Sequence, residues 1–372
     1  MLYNLAELQN DCSKYFKISP DQTLGIIQEL YEKKLVTYPR TDARVLSTAV
    51  AKEIHKNIGG LRNYGPVSQL AAEVLEKGTY KGIAKTRYVN DKQITDHYAV
   101  IPTGQGLSAL NGLPELSAKV YEMIVRRFLS IFYPPAVYRK FALCIQVKDE
   151  RFFSNFKVLA EEGYLKAAAF SFRKEKDAEN KKNDTDSEET EVQGDDTLIR
   201  LLMGLKKGAV LSCEGYEIKE GETSPPKRYT SGSIILTMEN AGQFIEDEEL
   251  RAQIKGSGIG TSATRAEILK KLVNIEYLAL NKKTQVLTPT LMGEMIYDVV
   301  NGSIKALLDP ALTASWEKGL TLVAGGDISS EEYMQKLSGF VGRRTQYVKQ
   351  LNNQRILYSQ FDAAASNYTK KQ

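Results

Sequence analysis

Two proline pairs, Pro134-Pro135 and Pro225-Pro226, limit the fold more than any other feature of the chain. A proline ring removes a backbone donor and clashes with the preceding turn, so neither helices nor central strands run through such a pair. Before the first pair and after the second, apolar residues recur at helical spacing. Between them, Tyr138 to Val158 and Val210 to Ile218 alternate apolar and polar residues, as half-buried strands do. The pattern predicts an α+β, multidomain chain with two mostly helical parts joined by a β-rich one. The boundaries fall at 1–133, 134–224 and 225–345, with 346–372 a polar tail that frays.

The helical parts carry their own punctuation. Residues 4–16 read as a short helix with Leu5 and Leu8 on one side. The next is better marked: Ser19 is an N-cap with Gln22 three residues on, Pro20 takes the first helical position, and Leu24, Ile27, Leu30 and Tyr31 follow at helical spacing. It delivers the chain into Leu35-Val36-Thr37-Tyr38, read as a strand after a helix-turn-helix. Ser47 caps a helix bearing Val50, Ile54 and Ile58 and closed by Gly59-Gly60. From Pro114, suited to the first helical position, another runs to Phe132 with Arg126-Arg127 on its polar side. In the last part, Thr230 or Ser231 caps a helix with Ile234, Ile235 and Met238, and Thr261 or Ser262 caps one with Ile268, Leu269 and Leu272. A turn at Asn281-Lys282-Lys283 then separates Tyr277–Leu280 from Gln285–Thr288. Helix, helix and hairpin in that order make a winged helix of the CAP-like kind. The stretch from Leu307 to Leu320 with Trp316 is a helical packing element.

Composition narrows the class. No apolar run approaches the roughly 20 residues that cross a bilayer, and the N-terminus lacks the basic-then-apolar plan of a signal peptide. Cys12, Cys144 and Cys213 lie far apart and suit reduced, buried thiols in a cytoplasmic protein. The net charge is +4, but residues 173–196 hold five Lys or Arg and ten Asp or Glu, so the rest of the chain carries +9. That surplus is compatible with phosphate binding. The acidic run has only Ala178 and Val192 as apolar residues and is expected to be a disordered insert, and its Asp184-x-Asp186 pair lacks the fixed geometry Mg²⁺ requires. Gly256, Gly258 and Gly260 precede a helix without the βαβ context or the P-loop lysine of a nucleotide site.

The residues with chemistry cluster around Tyr38. A phenol with a pKa of about 10 is neutral at pH 7 and is a nucleophile only where cations stabilise the developing charge. Arg40 supplies one, and Pro39 stiffens the turn between them. Taken alone, Tyr-Pro-Arg is also a common surface turn. His55 falls on a solvated helix side, whereas His97 precedes the extended run Ala99-Val100-Ile101-Pro102-Thr103. From the residues alone it reads as a core histidine hydrogen-bonded to Asp96 or Thr95.

Four stretches, in order, resemble type IA DNA topoisomerases, closest to the topoisomerase III branch. They are Ser19-Pro20-Asp21-Gln22-Thr23-Leu24 through Leu35-Val36-Thr37-Tyr38-Pro39-Arg40-Thr41-Asp42; Val89-Asn90-Asp91 with Thr95-Asp96-His97-Tyr98-Ala99-Val100-Ile101-Pro102-Thr103; Pro225-Pro226-Lys227-Arg228-Tyr229-Thr230; and Gly258-Ile259-Gly260-Thr261-Ser262-Ala263-Thr264-Arg265-Ala266-Glu267-Ile268. The resemblance extends from about Leu2 to Leu320. It implies that Tyr38 attacks single-stranded or underwound DNA and joins a 5′ phosphate, with Arg40 and His97 at the cleaved phosphate. Tyr98 stands where many relatives carry histidine or glutamate. It further implies that Arg228, Thr230, Thr261, Thr264 and Arg265 touch DNA, and that the β-rich part is an arch that opens to pass a strand, without ATP.

The complete enzyme is expected to need Mg²⁺, held by an acidic Toprim domain whose carboxylates have no counterpart in this chain. The chain alone is therefore expected to bind single-stranded DNA without relaxing supercoils, and to need that domain fused or in trans. The rival expectation is a single-strand-binding remnant that has lost the chemistry. A tyrosine recombinase is disfavoured, since that class's arginines and histidine ahead of a C-terminal tyrosine are not found.

Overall fold

The helix after Ser19 forms where its sequence places it. In the computed structural model, α2 (Pro20–Glu32) begins with a complete capping box: the Gln22 amide donates to the Ser19 side chain, and the Gln22 side chain accepts from the Ser19 amide. The structure describes residues 1–171, 190–191, 196–213, 215–218, 220–254 and 258–368. Most of the acidic run, with Asp184 and Asp186, lies outside these, as does Gly256. Two units divide the chain, and both are assembled from separated stretches. One comprises Met1–Leu2, Thr48–Val89 and Pro102–Pro226; the other Tyr3–Ser47, Asn90–Ile101 and Lys227–Gln372.

The first unit is built on α3 (Thr48–Leu61), α4 (Ser68–Lys77) and α5 (Glu115–Ser130), followed by a sheet of β1 (Val137–Val147), β2 (Glu150–Glu161) and β3 (Thr190–Glu191). β1 and β2 pair antiparallel along their length, from Val147↔Glu150 to Tyr138↔Leu159, so the alternation after Pro134-Pro135 does make a hairpin. β3 pairs in parallel with Phe156 and Lys157, which places an ordered pairing inside the run expected to be disordered throughout. The second alternating stretch behaves differently. Residues 210–213 and 215–218 form no strand, and Val210 and Ile218 are 96% and 89% exposed. Alternation makes a strand only where a partner backbone receives its hydrogen bonds, and none does so here among the described residues.

On α5 the structure corrects two expectations. Pro114 is the residue before the first turn rather than its first member. Arg126 is buried, not on a polar side: its Nε donates to Glu122 Oε1 at 2.5 Å, and Nη2 donates to the Pro66 carbonyl at 3.1 Å. A buried guanidinium is tolerated when a carboxylate and carbonyls take its protons.

The second unit packs α1 (Leu5–Phe16) and α2 against α8 (Ser231–Glu239) and α10 (Arg265–Asn274); two short helices intervene in the numbering, α6 (Leu165–Ala168) and α7 (Asp196–Gly204), both of the first unit, and one, α9 (Glu248–Gln253), belongs here. Ala6, Ile235, Leu269 and Leu287 form the buried centre of this packing, with Ile234, Leu236, Met238, Val273, Leu278 and Leu280 around it. The crossing of α1 and α8 is close. A Cβ at Gly232 would sit 2.7 Å from the Asn10 Cα, and Ser13 Oγ meets Ser231 Oγ at 3.2 Å. Thr230 is the N-cap of α8, in a capping box with Ser233. The hairpin β4 (Leu278–Leu280) and β5 (Leu287–Pro289) follows α10. Thr230 also bridges Val286 beside it.

α11 (Leu291–Asn301), α12 (Pro310–Gly325), α13 (Ser330–Gln350) and α14 (Gln354–Ser366) complete the chain. Trp316 is indeed a packing residue, edge-on to Tyr333 and Phe340. The polar tail does not fray as a whole: α14 packs on α11, and Tyr368 donates to Glu294 at 2.7 Å. Of the thiols, Cys12 is buried, but Cys144 and Cys213 are exposed. No helix among the described residues is long and apolar enough to cross a membrane.

Candidate active site

The segment from Leu35 to Asp42 bends at Leu35, Thr37 and Pro39 and does not form the strand its composition suggests. Thr37 is the reason. Its amide donates to the Ile101 carbonyl at 3.0 Å, but the two neighbouring bonds are made by its hydroxyl, which donates to Ala99 O at 3.1 Å and accepts from Ile101 N at 3.0 Å. A side chain thus replaces part of the backbone ladder and leaves the next residues free to turn. Pro39, with no amide hydrogen, continues the departure from pairing.

Thr41 pins the turn from the other end. Its amide donates to Pro39 O, its carbonyl accepts from Leu5 N at 3.2 Å, and its hydroxyl donates to the His97 carbonyl at 2.7 Å. The 97–101 run therefore serves as a rail, held by Tyr3 through Val100 N at 2.8 Å and by Val45 through Ala99 N at 3.0 Å.

This arrangement sets Tyr38 against His97. Their ring centroids are 4.3 Å apart with planes inclined by 41°, and Tyr31 lies edge-on to Tyr38 at 5.5 Å. Tyr38 is half-buried, while His97 and Arg40 are exposed. No side chain pairs with Arg40 among the described residues, so its charge is open to an incoming anion. Thr95 and Asp96 make no hydrogen bond to His97 in this structure; its carbonyl is held by Thr41 instead.

The other expected site residues are placed differently. Thr261 and Thr264 are exposed and bonded to each other, with Thr261 N donating to Thr264 Oγ1 at 2.9 Å. α10 starts only after Thr264, later than a cap at Thr261 or Ser262 implies. Its outer face, from Thr264 through Lys271 to Asn274, borders an open groove of about 500 Å³. Arg228 is exposed, whereas the Thr230 hydroxyl is occupied as the cap of α8. Arg265 is 1% exposed. Its Nη1 donates to Asp42 Oδ1 at 2.8 Å, Nε to Ile259 O at 3.3 Å and Nη2 to Gly260 O at 3.2 Å. The guanidinium thus points inward, away from the surface on which a phosphate contact was expected.

Beneath the loop lies a polar group that the sequence did not announce. Asn4 caps α1 through Oδ1 and donates through Nδ2 to Asp42 O at 3.1 Å and to Glu239 Oε1 at 2.6 Å. Burial pushes the Glu239 carboxyl above its usual range, against the opposing pull of Arg265 at 3.9 Å. Arg44 pairs with Glu7. The carboxylates of Glu7, Asp42 and Glu239 are therefore engaged by a cation or an amide, and no group of three metal-ligating side chains converges among the described residues. These residues do not fit the Mg²⁺ that the family resemblance implies.

Tyr38 and His97 thus meet ring against ring at a tilt, with the exposed Arg40 two residues on from Tyr38. The family model for DNA topoisomerase matches residues 1–335. The chain belongs to the DNA topoisomerase family, in its type IA, topoisomerase III-like branch. Among its relatives, the DNA topoisomerase 3 of Bacillus licheniformis is 33% identical over 355 residues, 94% of this chain and 45% of that protein. The DNA topoisomerase 3 of Bacillus subtilis is 32% identical over 354 residues, with the same shares covered. The chain thus spans about 45% of the length of these relatives. Among solved structures, full-length topoisomerase I from Thermotoga maritima is similar with a TM-score of 0.56 at 21% identity, over 93% of this chain and 49% of that one. At that identity the likeness concerns the fold.

Proposed function

We propose that this chain acts on single-stranded or underwound DNA, with Tyr38 as the nucleophile of a reversible strand break. The Tyr38 oxygen attacks phosphorus, the bond to the 3′ oxygen breaks, and the 3′ hydroxyl leaves with a proton while the 5′ phosphate stays on the phenol. Reversal reseals the strand, and because the phosphodiester's energy is kept in the phosphotyrosine, no ATP is needed. Arg40 and His97 stabilise charge on the phosphate through hydrogen bonds they donate to it. α8, α10 and the β4-β5 hairpin act as a winged helix that holds the strand through Arg228, Thr261 and Thr264. The β1-β2 hairpin belongs to the arch, and Mg²⁺ serves the complete enzyme from a Toprim domain. The contact between the Tyr38 and His97 rings is the observation that carries this reading.

The test is covalent trapping. The chain, alone and with a Toprim domain in trans, is incubated with a single-stranded oligonucleotide labelled at its 3′ end, denatured and resolved on a gel. Labelled protein is expected for the parent and none for Tyr38→Phe, with oligonucleotide affinity unchanged. An adduct in the Phe variant, or one retaining a 5′ rather than a 3′ label, refutes the assignment. Salt-dependent binding with no adduct in either arm would point instead to a single-strand-binding module.

A further inference from the structure

The Arg265 guanidinium joins two segments whose contributions have so far been taken separately. On one side is the 258–260 turn that leads to Thr261 and Thr264. Ile259 N donates to the Met238 carbonyl at 2.8 Å, and Gly258 and Gly260 take φ values of +66° and +68°. On the other side is Asp42, the last residue of the segment carrying Tyr38 and Arg40. Arg265 donates to two carbonyls of the turn and to the Asp42 carboxylate, and Asn4 holds the Asp42 carbonyl from beneath. Arginine suits this place because its planar fork serves acceptors in several directions at once, which an ammonium on a flexible stem does not.

We propose that Arg265 is a positioning residue: it fastens Asp42, and with it the Tyr38–Asp42 segment, to the 258–260 turn, so that a DNA phosphate held by Thr261 or Thr264 and the phenol of Tyr38 keep one register. The purpose of that register rests on the topoisomerase reading; the latch itself does not. Three features separate it from a phosphate contact. The side chain is 1% exposed, its donors already serve an ion pair and two backbone carbonyls, and Asp42 neutralises its charge. Movement of the turn when a phosphate binds is transmitted to Asp42 through the part-buried hydrogen bonds that Arg265 makes to both.

The experiment places 3-fluorotyrosine at position 38 of the full chain and records its fluorine resonance with and without an oligothymidylate of about 20 nucleotides. In the DNA-free protein, Arg265→Gln and Asp42→Asn are each expected to shift that resonance. The double variant should go no further than either single change, since both remove the same link. Arg265→Lys, which keeps the charge but not the fork, should restore only part of the parent position. Oligonucleotide affinity in Arg265→Gln is expected to stay within about threefold of the parent, while the response of the Tyr38 resonance to DNA is lost.

An unchanged resonance in folded Arg265→Gln and Asp42→Asn overturns the proposal. So does a loss of affinity of about tenfold or more with the resonance unmoved, which would make Arg265 a phosphate ligand after all. Should Arg265→Gln fail to fold, Asp42→Asn preserves volume and decides the question by itself. A parent that binds no oligonucleotide would count against the topoisomerase reading, while the DNA-free spectra would still decide on the latch.

Discussion

Arg40 and Arg265 show how differently one side chain is used. Arg40 is exposed and opens its charge to an anion; Arg265 is buried with its protons taken. Arg40→Ala should therefore leave unfolding temperature and oligonucleotide affinity close to the parent while lowering the rate of adduct formation by about 10²-fold or more, the loss typical of one preorganised oxyanion donor. An unchanged rate would remove Arg40 from the chemistry. Glu239 supplies a second expectation. Its carboxyl is raised above the ordinary carboxylate value of 4.5 chiefly by burial, so the folded state holds this proton more tightly than the unfolded chain does. Its contribution to stability is then fully present below about pH 4.5 and declines as pH rises through the raised value. Glu239→Gln keeps an acceptor for Asn4 and removes the buried charge. Denaturant titrations should find the variant at least as stable as the parent at pH 7 and without that advantage near pH 4. A variant clearly less stable at pH 7 would show that the attraction to Arg265 outweighs burial.

At the scale of elements, the 258–260 turn is fitted to the end of α8 at van der Waals limits. A Cβ on Gly258 would lie 2.3 Å from Met238 O and 2.4 Å from Glu239 O, at a φ that L residues avoid. Gly258→Ala should cost about 1–3 kcal/mol in urea unfolding, since the strain falls on backbone that cannot move without disturbing α8. A cost near zero would mean that the turn can detach from α8. The same comparison shows what the sequence could reveal. The Ser19 and Thr230 caps, the hairpin after Pro134-Pro135 and the face of α2 are legible because the groups that decide them lie within a few residues. The buried state of Arg265 is not, because Asp42 is 223 positions away and no local pattern records their meeting. Nor is the loss of the strand at Leu35–Tyr38, which turns on a hydroxyl of Thr37 reaching residues 62 and 64 positions ahead. The site is divided in the same way. Tyr38, Arg40, His97 and Arg265 could be singled out by resemblance, whereas Asn4, Glu239 and the inward pairing of Arg265 with Asp42 emerged only from the fold.

For the whole molecule, the relevant quantity is how charge is distributed rather than its sum. The net +4 conceals a deficit of five charges in residues 173–196 and a surplus of nine elsewhere. If the surplus meets a DNA strand, binding releases counterions, and the logarithm of the affinity should fall linearly with the logarithm of salt concentration, by about 0.7 per phosphate neutralised on a single strand. Arg228 offers a way to measure one such contact. It is exposed, so its removal perturbs no core and exposes no buried partner. Arg228→Ala should therefore weaken oligonucleotide binding about equally for all base compositions and flatten the salt dependence by about 0.7 in slope, as the loss of one phosphate contact requires. Fluorescence anisotropy titrations at several salt concentrations, on oligothymidylate and oligoadenylate, measure both effects. An unaltered slope would place Arg228 outside the DNA path, and a loss confined to one base composition would make it a reader of bases rather than a holder of the backbone.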